Sequence, residues 1–126
     1  MVQLVERERE RGISPDRIVV AGFSQGGAVA FEVALSYPER LAGLIAISTY
    51  FATRESIAPS AANADLPILI CHGLHDPLVA ESLGQASQRA LADLGYPVDY
   101  RTYPVEHGVD LAEIRDIGAW IEARLA

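Results

Sequence analysis

Arg17-Ile18-Val19-Val20-Ala21-Gly22-Phe23-Ser24-Gln25-Gly26-Gly27-Ala28-Val29 is the stretch whose reading decides the fold. Its first half is apolar and β-branched, which predicts a buried strand over residues 17–22. Its second half opens a helix over residues 25–37, with Ala28, Phe31 and Leu35 on one face and Pro38 at its end. Between them Gly22-Phe23-Ser24-Gln25-Gly26 fits G-x-S-x-G, with a second glycine, Gly27, behind it. A strand running into this pattern and a helix running out of it make a nucleophile elbow, a turn too sharp for side chains on either side of the serine. Gly22 and Gly26 are expected to supply the missing bulk, and Ser24 to sit in a strained conformation with its hydroxyl exposed. The amide of Gln25, at the helix N-terminus, is the candidate donor to an oxyanion. A bare G-x-S-x-G arises often by chance, and the flanking elements give this one its weight. Neither phosphate-loop pattern, G-x-x-x-x-G-K-S/T or G-x-G-x-x-G, is present.

Working outward, residues 2–11 read as a charged helix stopped by Gly12, followed by a Ser14-Pro15-Asp16 turn. Buried strands are predicted at 43–48 and 67–71, with a loop holding a helical turn over 50–66 between them. A helix over 81–94 is stopped by Gly95, and a fourth strand covers 98–103. Leu111, Ile114, Gly118, Ile121 and Leu125 step by three and four, which predicts a final amphipathic helix with that stripe inward. Strands alternating with helices imply parallel pairing and an α/β fold: a sheet of about four strands flanked by helices.

Composition narrows the function. The chain has 126 residues, which suits one domain. Half of them are hydrophobic and 21% are charged, so a real core is possible and disorder is not expected. With 17 acids against 10 bases and a formal net charge of −7, the chain lacks the basic face that a nucleic-acid partner demands. The repeated Glu-Arg run over residues 6–11 occupies the place where a signal peptide would need apolar residues, and no apolar run is long enough to span a bilayer. A single cysteine, Cys71, allows no intramolecular disulfide and fits a reducing cytoplasm.

A serine hydroxyl needs a base, and histidine suits the task. Of His72, His75 and His107, only His107 lies just past the last strand, in the loop before the final helix. In hydrolases built on this elbow the chain order is serine, acid, histidine. Asp76, in the loop after the preceding strand, is then the acid that holds the imidazole in the productive tautomer. Asp99 and Asp110 are weaker candidates, one within a strand and the other beyond the base. Glu106 adjoins His107 and is expected to point elsewhere. His72 reads as a locally hydrogen-bonded end of a buried strand, and His75 as facing water. The three histidines lack the helical H-E-x-x-H spacing of a metal site, so no metal is expected.

Three stretches carry a family resemblance: residues 22–29 (GFSQGGAV) running on to 45–50; His72-Gly73 with Asp76-Pro77-Leu78-Val79; and Tyr103-Pro104 before His107, followed by residues 116–120. From about Gly12 onward the chain resembles the small bacterial carboxylesterases related to acyl-protein thioesterases and lysophospholipases, of the α/β-hydrolase superfamily. The resemblance implies cofactor-free hydrolysis of esters or thioesters of short to medium acyl chains by Ser24, Asp76 and His107. Where the family usually has glycine before the catalytic histidine, this chain has Glu106 and then Gly108, so a rearranged backbone is expected there.

Relatives also carry an N-terminal portion with the first strands and an H-G-x-G-like loop that donates the second oxyanion-hole amide. The chain is therefore expected to be a single α/β-hydrolase domain, residues 1–126, truncated by those strands and that loop. Its elbow strand should lie at a sheet edge, inviting self-association or pairing with a separate N-terminal segment. Losing one oxyanion donor costs about 10²–10³ in rate, so weak esterase activity is expected. A catalytically impaired fragment or a non-catalytic interaction remnant of such an esterase is the alternative, and a peptidase on the same fold is a third reading.

Overall fold

A computed structural model describes residues 1–126. Helix α1 (Val2–Glu10) is followed by β1 (Val19–Phe23), α2 (Gln25–Ser36), β2 (Gly43–Ile47), β3 (Ile68–Gly73), α3 (Glu81–Asp93), β4 (Val98–Tyr103) and α4 (Leu111–Leu125). The four strands form one sheet in the order β1-β2-β3-β4, and every pair is parallel. The elbow strand thus stands at an edge, as the family resemblance implied. The helical turn expected in the long loop is a 3-10 turn at Ala61–Asn63.

Side chains of a strand alternate between faces, and both faces are covered. Val20, Leu44, Ala46, Ile68 and Ile70 join Phe31, Leu35 and Leu91 of α2 and α3 in the larger core. Ile45, Leu69 and Cys71 face the other way, against Trp120 of α4. Leu44, Ile45, Leu69 and Cys71 are fully buried, which explains why β2 and β3 read as unbroken apolar runs. Burial pushes the Cys71 thiol up to about 12, so it behaves as a small core residue. Asn63 stitches the long loop to the end of α2: its side-chain amide donates to the carbonyls of Tyr37 and Glu39, and its oxygen accepts from the Leu41 amide.

Several details depart from the expectations. The elbow strand, expected over 17–22, is Val19–Phe23, because Pro15–Arg17 form a 3-10 turn before it, and β3 runs on past residue 71 to Gly73. In α2, Ala30, Phe31, Ala34 and Leu35 are buried while Ala28 is only half-buried. In α4, the predicted apolar stripe is largely outward: Leu111 is 61% and Ile114 56% exposed, and Gly118 is exposed too. The inward face carries Glu113 and Trp120, with Ile117 and Ile121 half-buried beside them. Trp120 sets this rotation. Its ring fills the space above Gly43, where a Cβ would lie 2.7 Å from Cη2, and no stripe residue offers comparable area to bury.

Candidate active site

The site forms at the C-terminal ends of the strands, where three loops meet. Ser24 is the cap residue between β1 and α2 and has φ 57° and ψ −121°, a backbone conformation that L-residues seldom adopt. Its amide donates to the Ile47 carbonyl at 2.9 Å, tying the elbow to β2. A Cβ at Gly22 would overlap the carbonyl of Gly26, so the first glycine of the pattern is required by packing. Gly26, expected to be equally crowded, has open space around it. Gly27 instead is the second tight point, because a Cβ there would run into the Thr49 side chain. Gln25 is the first residue of α2, so its amide has no carbonyl one turn back to pair with and is free to donate.

The acid and base loops are laced together by backbone bonds. The Leu74 amide donates to the Tyr103 carbonyl at 2.9 Å, and the His75 amide to the Val105 carbonyl at 3.1 Å. Gly73 permits this approach, since a Cβ on it would overlap the carbonyls of Val105 and Glu106. Asp76 then folds into an Asx turn: one carboxylate oxygen accepts from the amides of Leu78 at 2.9 Å and Val79 at 2.8 Å. Its other oxygen lies 2.7 Å from His107 Nδ1, and His107 Nε2 lies 3.1 Å from Ser24 Oγ.

These contacts assign the protons. Nδ1 faces a carboxylate and carries the hydrogen, so Nε2 presents its lone pair to the serine hydroxyl. Burial alone would raise the Asp76 carboxyl. The Val79 amide, the His107 ring and the Leu78 amide outweigh it and hold the group below its ordinary range. The Phe23 ring stands 4.8 Å from the His107 ring, covering one side of the imidazole.

The remaining candidates have other work. Asp110 caps α4 by accepting from the Glu113 amide at 2.8 Å, and Asp99 pairs with Arg101 at 2.7 Å. Glu106 and His75 are exposed. Neither Glu106 nor Gly108 takes a positive φ, so the altered glycine position leaves His107 in hydrogen-bond contact without unusual backbone. His72 is fully buried and bonds the Val79 carbonyl through Nε2 at 2.8 Å, in line with the local role read from the sequence. Sequence reasoning missed Thr49 and the packing roles of Gly27 and Gly73, whose partners lie far away in the chain. No group of three or more His, Cys, Asp or Glu side chains is arranged to hold a metal ion.

A match to the phospholipase/carboxylesterase family extends over residues 1–125. The chain belongs to that family. It is 34% identical over 97% of its length to acyl-protein thioesterase 1 of Gibberella zeae and 37% identical over 97% to that of Neurospora crassa. It spans about half of those relatives, 54% and 52% of their lengths. Among solved structures, Arabidopsis thaliana SOBER1 superposes with a TM-score of 0.88 at 27% identity, covering 98% of this chain and 60% of that one. Esterase PE8 superposes with a TM-score of 0.86 at 25% identity, covering 97% and 57%. The architecture is that of the α/β-hydrolases, represented here by four parallel strands and their helices, and the family supports a hydrolase. No helix is long and apolar enough to cross a membrane.

Proposed function

We propose that this chain is the catalytic part of a serine carboxylesterase, with Ser24 as nucleophile, His107 as base and Asp76 as the acid that orients it. The observation that carries the reading is the continuous hydrogen-bonded path from Ser24 Oγ through His107 to Asp76, at 3.1 and 2.7 Å. Ser24 Oγ attacks the carbonyl carbon of a small ester or thioester while its proton passes to His107 Nε2. The Gln25 amide stabilises the oxyanion of the tetrahedral intermediate. Collapse of that intermediate breaks the bond to the alcohol or thiol, which takes the proton from His107. Water, deprotonated by the same imidazole, then releases the acid and frees Ser24. No cofactor takes part in this scheme.

A fluorophosphonate probe tests it. Covalent labelling of Ser24 in the wild type, lost in Ser24→Ala, is the expected result. A folded protein that stays unlabelled is a non-catalytic remnant instead. That second reading draws on one fact: the chain spans about half of its relatives. Turnover of p-nitrophenyl esters is accordingly expected to be weak, with one oxyanion donor at the elbow.

The proposed domain, residues 1–126 without the first strands of its relatives, leaves β1 unpaired on its outer side. The two edges differ: β4 carries Asp99 and Arg101, whereas β1 is Val-Val-Ala-Gly-Phe with no charge. A groove of about 330 Å³ runs along β1, lined by Leu4, Val5, Ile18, Val19 and Val20 among others. In a preparation of this chain alone, the partner for that edge is a second copy, and concentration-dependent dimers are expected in light scattering. Consecutive strand amides point to opposite sides, so in a monomer one of Val19 and Val20 must exchange quickly with deuterium. Strong protection of both in a demonstrated monomer contradicts the proposal. The free, buried Cys71 agrees with a cytoplasmic location.

A further inference from the structure

His72 combines complete burial with a single side-chain hydrogen bond, and that bond points to a role. It is fully buried at the end of β3, yet one ring nitrogen, Nδ1, has no hydrogen-bond partner. Burying an unpaired polar atom is unfavourable, and a leucine in the same place would bury none. Its other nitrogen, Nε2, lies 2.8 Å from the Val79 carbonyl. A carbonyl only accepts, so Nε2 carries the hydrogen and donates it. Nε2 is 3.8 Å from Asp76 Oδ2, beyond hydrogen-bond range, so that hydrogen goes to Val79 alone.

Val79 is therefore gripped from both ends. Its carbonyl is held by His72 and its amide by Asp76 Oδ1. The stretch between Asp76 and α3 has little else to fix it: Pro77, Leu78 and Ala80 are exposed, Leu78 by 74%, and Ala80 caps α3 with no side-chain hydrogen bond. Gly84 of α3 makes room for the imidazole, since a Cβ there would lie 2.8 Å from Nδ1 and 3.1 Å from the Tyr100 hydroxyl.

We propose that His72 is a positioning residue for the acid: its Nε2–H anchors Val79, so that the Leu78 and Val79 amides stay aimed at Asp76 and Asp76 stays aimed at His107. This rests on the reading of Asp76 and His107 given above. His72 touches no reacting atom and acts only through the Val79 peptide units. An imidazole at this position is explained by its donor, whose direction is fixed by a rigid ring that β3 and α3 hold in place.

The test compares His72→Leu, which fills the space without a donor, with His72→Gln, whose side-chain amide reaches as far from the backbone as Nε2 does. The carboxyl carbon of Asp76, followed by ¹³C NMR through an acid titration, reports the two amides directly and needs no turnover. In His72→Leu the Asp76 titration should move up toward the ordinary carboxylate range, and in His72→Gln it should stay near wild type. Labelling of Ser24 by the fluorophosphonate should fall about 10- to 100-fold in the leucine variant, as for a misplaced catalytic group, and recover in the glutamine variant. An Asp76 titration equal in wild type and His72→Leu overturns the proposal, as does a glutamine variant that behaves like leucine. Should His72→Leu fail to fold, His72→Met serves as the second donor-free variant: an upward Asp76 titration supports the anchor and an unchanged one overturns it. A wild type that takes no label removes the catalytic reading, while the Asp76 titration still decides whether His72 holds the loop.

Discussion

Asparagine in place of Asp76 is expected to slow the reaction of Ser24 with a fluorophosphonate by about 10⁴-fold, although the side chain keeps its shape and the protein still folds. The reason lies in which way the amide must face. The oxygen of Asp76 that meets Leu78 and Val79 receives two N–H donors, at 2.9 and 2.8 Å. Only an acceptor can occupy that place, so the asparagine oxygen goes there and its NH₂ takes the place of the oxygen 2.7 Å from His107 Nδ1. A donor now faces Nδ1, which must become an acceptor, and the ring hydrogen moves to Nε2. Nε2 then meets Ser24 Oγ with a hydrogen instead of a lone pair and cannot remove the serine proton. Circular dichroism should be unchanged, which separates this effect from unfolding. In the wild type, Asp76 is held below the ordinary carboxylate range, so loss of labelling on mild acidification should not come from this group. Labelling of Asp76→Asn within tenfold of wild type would sink the assigned roles of Asp76 and His107.

Much of the fold was legible because its signals are local. β2 and β3 are short apolar runs, with Gly43 opening one and Pro67 preceding the other, and a parallel sheet covered on both faces produces that pattern. β4 falls at Val98–Tyr103, the span its composition predicts, and α3 ends one residue before its expected end, with Gly95 following at φ 93°. The elbow was legible for the same reason: strand, tight turn and helix adjoin in sequence.

The missed features depend on partners far along the chain. Gly27 is needed because of Thr49, and Gly73 because of the Val105 and Glu106 carbonyls. The rotation of α4 failed for a related cause. Periodicity counts apolar positions and ignores their size, so five modest residues outvoted Trp120. In the folded protein one large ring over Gly43 prevails, and Leu111 and Ile114 remain on the surface, which single apolar residues tolerate. The same rotation carries Glu113 inward, a placement no rule based on polarity would choose.

That buried glutamate makes stability fall as the solution becomes alkaline. Glu113 is fully buried, and neither carboxyl oxygen has a hydrogen-bond partner. Burial and the nearby Asp110 charge raise it from 4.5 to about 7. Below pH 4.5 the group is protonated folded or unfolded and costs nothing through titration. Between that pH and about 7 the unfolded chain releases the proton while the folded chain keeps it, so stability drops as pH rises, and above about 7 the loss levels off. Its full size is about 3 kcal/mol, a large share of a small domain's stability. Asp76, held low, contributes stability lost only in acid, so it leaves this window clean. Glu113→Gln keeps the volume and cannot ionise, so its stability should lack the drop between pH 5 and pH 8. The cost of the buried amide is the same at both pH values and cancels in the comparison. Urea unfolding of the two proteins at these pH values checks this: the variant should gain on the wild type by roughly the amount stated, since contributions shared by the two proteins cancel. Identical pH slopes would mean that Glu113 reaches water or a partner in solution, and that the first turn of α4 is not packed against the sheet as described.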